Sequence, residues 1–222
     1  MMHQTNARRI YIWCSAQPSE HELSYEQTVD QVVPLLRQAH PAAVIEVGVL
    51  SAPNTYTPSL QQLDYSLTFM APLALPVWQQ CQAVAALRAQ VAQWGIRVAE
   101  GGTYQLPLAQ TAKGTLFGEV FGLVAGQWQV PIHTADRDRQ QLYGLGRRLL
   151  SALNAPVGCY FLQFSWQQGV IFDRLWPFPT VAALASVGVQ TPDWFTAYYC
   201  CLAGQPLRDL RLPDLPAVPC LE

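Results

Sequence analysis

The pattern of the chain changes at Gly101-Gly102, and this change limits the possible folds more than any other feature. Before it, apolar runs of strand length alternate with segments of helical period; after it, strand-length runs follow one another in pairs across short Gly-rich or polar connections. Alternation points to parallel strands joined by helices, and paired runs point to an antiparallel sheet. The expected fold class is therefore α/β, with α+β character in the C-terminal half. The expected division is a small α/β unit over 1–100, a second lobe over 101–212 and a Pro-rich tail over 213–222, with one compact domain as the alternative.

Individual elements follow from local chemistry. Arg9 to Cys14 is a β-branched and aromatic run that reads as a strand. Ser24 and Gln27 have the spacing of a capping box, and Val29, Val32, Val33 and Leu36 follow at helical period, with a kink or restart expected at Pro34. Pro41 ends that helix, and 42–50 is a largely buried strand interrupted by Glu46 and Gly48. A loop with Pro53, Asn54 and Pro58 leads to a short apolar piece at 67–70. Pro76 then opens one helix carrying Val77, Cys81, Val84, Leu87, Val91 and Trp94 on a common side, stopped by Gly95 before a strand at 96–99. In the second half, 116–125 and 128–133 form a hairpin across Gly126-Gln127. A helix spans 135–153 with Leu142, Leu145, Leu149 and Leu153 inward, strands span 158–165 and 169–175, and a last helix spans 193–203.

Composition excludes several classes of function. A net charge of -2 gives neither phosphates nor anionic lipids a reason to bind, so nucleic-acid and membrane partners are not expected. No run approaches the ~18 apolar residues of a membrane span, and the polar first residues lack a secretory core, so a cytoplasmic location is expected. The six cysteines fall mostly in apolar runs and read as buried free thiols, with adjacent Cys200-Cys201 as the exception. There is no Cys-x-x-Cys, and the four histidines are dispersed, so no metal site is expected. Of 13 basic residues only Lys113 is a lysine. It stands beside Gly114 and could meet an anion, while Glu119 and Asp173, placed in or at the end of strand runs, could form a carboxylate pair, with Arg174 adjacent.

Over residues 116–207 the order hairpin, helix, strand, strand, Pro-rich turn, helix resembles the C-terminal lobe of the ATP-grasp superfamily. Within it, the chain looks most like carboxyaminoimidazole ribonucleotide synthetase. Leu142 to Phe164 is similar to the helix that leads into a Gly-Val strand, and Gly169 to Asp173 is similar to the strand ending in Asn-Glu. Pro177-Phe178-Pro179 resembles a Pro-Arg-Pro turn, and Gln190 to Phe195 with Gly204 to Leu207 resembles the terminal helix and its Gly-Leu-Pro-Leu end.

The resemblance implies an antiparallel ATP-grasp-like sheet and, in an active member, ATP with magnesium held by a Glu on one strand and an Asn and Glu on the next. The corresponding positions here are Gln163, Phe172 and Asp173, so two of three ligands are altered, and the usual phosphate-binding glycine loop and strand lysines have no counterpart besides Lys113. The expected function is accordingly a non-catalytic binding or assembly module without a cofactor. Its candidate ligand-binding residues are Lys113, Glu119, Gln163, Asp173 and Arg174. The alternative is an ATP-dependent carboxylate ligase with an altered site using Lys113, Glu119 and Asp173, with ATP and magnesium as cofactors. The aromatic surplus of Trp166, Trp176, Phe178, Trp194, Phe195, Tyr198 and Tyr199 is read as core, or as a surface for self-association, such as a homodimer, or for a protein partner.

Overall fold

The computed structural model describes residues 9–50, 65–68 and 76–213. The loop at 53–58, the end of the apolar piece at 69–70, Cys220 and the Pro-rich tail from 214 onward lie outside the described residues. The chain divides into two compact units, Met1–Pro72 and Leu73–Glu222.

In the first unit, β1 (Arg9–Ser15) lies between β2 (Val44–Leu50) and β3 (Tyr65–Thr68), all parallel. Alternation along β1 buries Ile10, Ile12 and Cys14 on one face and leaves Tyr11 and Trp13 half-buried on the other. The Trp13 ring lies against Gly48, where an added Cβ would come within 2.2 Å of it, so the apparent flaw in the β2 apolar run makes room for an indole. The capping box at Ser24 and Gln27 forms and starts α1 (Tyr25–Gln27). A π-helical turn over Thr28–Val32 joins it to α2 (Val33–Ala39), with Pro34 in the first turn of α2, at the restart the sequence suggests. The Cys14 thiol donates to Thr28 Oγ1 at 3.1 Å, tying β1 to this helical segment.

The second unit begins earlier than expected. Its first elements are α3 (Pro76–Gln82), α4 (Val84–Gln93) and β4 (Arg97–Val98), and β4 pairs in parallel with β10 (Val170–Trp176). That pairing places the joint before Leu73 and puts Gly101-Gly102 inside the second unit. The single helix expected from Pro76 is broken at Ala83, whose ψ of 57° leaves the helical region. Trp78, outside the expected stripe, is buried as well and stacks on Phe178 at 5.2 Å between centroids, a long-range contact that local periodicity does not register.

The sheet runs β4-β10-β9-β5-β7-β8, with β6 also paired to β5. Here β5 is Tyr104–Thr111, β6 Gly114–Phe117, β7 Phe121–Val124, β8 Gln127–Gln129 and β9 Gly158–Trp166. All of these pairs are antiparallel except β4-β10. The expected long strand at 116–125 is two strands, β6 and β7, interrupted at Gly118–Val120. The long central strand β5 was not anticipated, and it carries Pro107, a residue type that interior strands disfavour. Its position resolves the conflict. The N–H and C=O of a strand residue point the same way, and Pro107 O accepts from Gly118 N–H at 3.0 Å, so the missing donor faces the interruption between β6 and β7. On one side of the sheet α5 (Asp136–Ala152) buries Leu142, Leu145 and Leu149. On the other, α6 (Trp194–Leu202) places Trp194 edge-on to Phe161 at 5.6 Å. Its N-cap Asp193 accepts from the Phe195 and Thr196 backbone at 2.9 and 3.0 Å. Trp194, Phe195, Tyr198 and Tyr199 are all buried, and Trp166 and Trp176 are half-buried, so most of the aromatic surplus is core.

Candidate functional site

Two of the predicted residues, Gln163 and Asp173, converge on a single backbone unit, Gly102. Gln163 is 2 % exposed, and its pairing with Arg174 puts it on the same face of the sheet as Phe161 and Trp176. Its Nε2 donates to Gly102 O at 2.7 Å, and its Oε1 accepts from Trp176 Nε1 at 2.7 Å. Each end of the amide meets a complementary group, which fixes its orientation.

Asp173, also 2 % exposed, is the extra residue of a β-bulge: the ladder pairs Phe172 with Phe164 and then Arg174 with Gln163. The bulge releases the Asp173 carboxylate from the alternation of β10. Gly102 N–H donates to Asp173 Oδ2 at 2.9 Å, and Oδ1 accepts from Arg88 Nη2. Arg88 Nε also donates to the Asp173 carbonyl at 2.9 Å, and Nη1 reaches Glu100 Oε1 at 2.7 Å. Burial works against the Arg88 charge, and the bonds to Glu100 and Asp173 outweigh it, so the guanidinium is held above its ordinary value. Arg174 Nε lies 3.5 Å from Asp173 Oδ1, with its guanidinium 5.1 Å from the centre of the Trp176 ring.

Gly102 is required by this arrangement. A Cβ there would sit 2.8 Å from Phe164 O and 2.9 Å from Gln163 Cγ. The signals for Gly102 and Arg88 were present in the sequence but were not read. The first belongs to the Gly-Gly pair taken as a joint, and the second is the sole charge in α4.

The other candidates lie elsewhere. Lys113 is exposed in the β5–β6 turn, where its backbone N–H donates to Thr111 Oγ1 at 3.1 Å. Glu119 is not in a strand but in the interruption between β6 and β7. Burial first, and then the Glu119 charge, push up the Tyr143 phenol on α5. The expected carboxylate pair is thus not assembled around Asp173, whose charged neighbours are Arg88 and Arg174.

The fit of this cluster to magnesium follows from its chemistry. The ion requires several oxygen ligands in near-octahedral array. Asp173 already accepts from an amide and a guanidinium, Gln163 Oε1 accepts from an indole, and Phe172 offers no donor. Among the described residues no three His, Cys, Asp or Glu side chains come together as a metal site. The residues present do not fit the ion.

No family model and no curated protein matches the sequence. Solved structures match in fold. N5-carboxyaminoimidazole ribonucleotide synthetase from Thermotoga maritima is similar with a TM-score of 0.60 at 11% identity, over 92% of this chain and 78% of that one. The carboxyaminoimidazole ribonucleotide synthase of Aspergillus clavatus complexed with ATP gives 0.64 at 11% identity, over 91% and 78%. L-amino acid ligase from Bacillus licheniformis gives 0.59 at 8% identity, over 88% and 74%. The likeness extends well beyond residues 116–207 and takes in most of both units. The chain has the α/β fold of the ATP-grasp enzymes.

Proposed function

We propose that this protein is a binding or assembly module built on the ATP-grasp fold and acting without ligase chemistry or a bound nucleotide. The observation that carries this reading is the engagement of Asp173 and Gln163 by Gly102, Arg88 and Trp176. At the positions where the resemblance implies magnesium ligands, a fixed guanidinium supplies the positive charge instead. The relevant partner is a protein or a second copy of the chain. The exposed apolar side chains of the second unit, such as Leu123, Val157 and Leu202, are better suited to such contact than the buried aromatics. Calorimetric titration of the full chain with ATP and magnesium is expected to give no binding heat, and incubation with both is expected to release no phosphate. Sedimentation across a concentration series tests self-association.

The second reading is an ATP-dependent carboxylate ligase with an altered site. It is favoured by the similarity to enzymes of that kind, one of them solved with ATP. Magnesium-dependent ATP hydrolysis that is lost in Asp173→Ala would establish it and remove the first reading.

A further inference from the structure

A cleft of about 370 Å³ lies on the side of the sheet that packs against α5, and neither reading of the function uses it. Leu108 on β5 packs against Gly146 of α5, and Gln110 alternates onto the same side, whereas Gln163 shares the other side with Phe161 and α6. Gln110 and Thr115, paired across the β5–β6 hairpin, line the cleft from the sheet. Arg147 and Ser151 line it from the last turns of α5, and Asn154 from the turn that follows. Only Leu150 and Ala155 in the lining are apolar, and no carboxylate belongs to it. The volume falls at the small end of the ~300–1,000 Å³ usual for ligand clefts, and the polar lining selects a polar occupant.

The neighbours of these groups set what each offers. The Arg147 guanidinium carbon is 4.9 Å from the centre of the Phe117 ring, which stacks on Tyr143 at 4.1 Å between centroids. Stacking engages the face of the guanidinium and leaves its N–H edge for a planar acceptor. Among the described residues no carboxylate is within ion-pair distance of Arg147. Gln110 Oε1 accepts from Thr115 Oγ1 at 2.6 Å, which leaves the Gln110 amide nitrogen to donate to a ligand. Lys113, exposed in the turn beyond Thr115, is outside the lining, so a single guanidinium faces the ligand. Asn154 has a φ of 46°, and this left-handed turn lets Ala155 N–H cap Leu150 O at 2.9 Å. The C-terminus of α5 still carries partial negative charge, so ligand groups beside Ser151 and Asn154 have to donate hydrogen bonds. The cleft thus asks for an anion at Arg147 and for hydroxyl groups near Asn154, seven residues or roughly 10 Å along the chain of α5 and its end.

We propose that this cleft binds a small hydroxylated monocarboxylate of the sugar-acid class, with its carboxylate on Arg147 and its hydroxyls on Ser151, Asn154 and the Gln110 amide. One guanidinium matches one negative charge, and its flat N–H edge matches a carboxylate. A phosphate dianion brings a second charge that no lining residue answers, and a neutral sugar leaves Arg147 without its anion. Arg147, Ser151 and Asn154 are all exposed, so the ligand enters from solvent without any movement of the sheet.

The test follows the backbone amide resonances of the isotope-labelled full chain during titration with sodium gluconate, against sodium chloride at equal ionic strength. The expected result is saturable movement of the Gln110, Thr115, Ser151 and Asn154 amides, with a Kd on the order of 1 mM. Glucose should leave these amides in place, and inorganic phosphate should bind more weakly than gluconate. Arg147→Gln is expected to weaken gluconate binding about tenfold, and Ser151→Ala to weaken it less. Arg137→Gln, exposed on α5 but outside the lining, should leave it unchanged. The proposal is overturned if gluconate produces no saturable shift, if glucose or phosphate binds as tightly, or if Arg147→Gln binds gluconate as well as the natural chain. The amide spectrum of each variant reports at the same time that its fold is kept. None of these readouts depends on ATP, magnesium or self-association, so the result is separate from the fate of either functional reading.

Discussion

Arg88 and Asp173, 85 residues apart, are joined at two points: the guanidinium Nε donates to the Asp173 carbonyl at 2.9 Å and Nη2 to its carboxylate. The Asp173 side chain is 3% exposed, so loss of Arg88 leaves a carboxylate in the interior supported by the Gly102 amide and the longer 3.5 Å contact from Arg174. Arg88→Met is expected to lower unfolding stability by about 3–5 kcal/mol. Glu100→Gln, which removes the partner that is 84% exposed, should cost at most about 1 kcal/mol. Urea midpoints of the two variants check the order. Adding Asp173→Asn to Arg88→Met should cost less than the sum of the single changes, because the stranded charge is gone.

Gln163 satisfies two buried groups at once. Gln163→Leu is expected to cost about 1–3 kcal/mol by leaving Gly102 O and Trp176 Nε1 without this partner. Glu at the same position cannot donate to Gly102 O, so Gln163→Glu should be destabilising at neutral pH. Thermal melts with and without magnesium are expected to coincide for this variant, since Asp173 stays engaged by Arg88.

Gly102→Ala tests the clamp from its backbone side. The new methyl group would meet Phe164 O at 2.8 Å, and a central strand carbonyl cannot swing aside as a flexible side-chain end would. A loss of about 1–3 kcal/mol is expected, with little change in denaturant slope. Chemical denaturation followed through tryptophan emission gives both quantities.

Alkaline conditions should destabilise the protein through Cys81. Burial pushes its thiol from 9.0 up to about 12 in the folded chain. The folded state then holds a proton that the unfolded state has lost, so stability is full below about pH 9 and falls as pH rises toward about 12. Cys81→Ala should make this fall shallower between pH 9 and 11, measured as the urea midpoint at each pH.

Much of the fold was legible because it rests on local chemistry: the capping box at Ser24, the leucine face of α5, and β9 and β10 appear where spacing puts them. The errors share a cause. β5 was passed over, and only the neighbouring strands reveal that the missing donor of its Pro107 faces a gap. The β4-β10 pairing, across more than 70 residues, moved the unit boundary, and no window of sequence contains both strands. At the site, Gln163 and Asp173 were found through the resemblance, but their partners were not. A hydrogen bond from α4 to a bulge in β10 exists only after the sheet has formed.

Pro107 also limits how the sheet can be misassembled. An antiparallel hairpin can slide along its neighbour by two residues and still keep its inward faces inward. On β5, such a slide of β6 would put a different residue opposite Pro107, which offers the ladder a carbonyl but no N–H. In the native alignment the missing ladder bond falls where the partner strand is already interrupted, at Gly118–Val120, so this register loses no strand pairing to the proline.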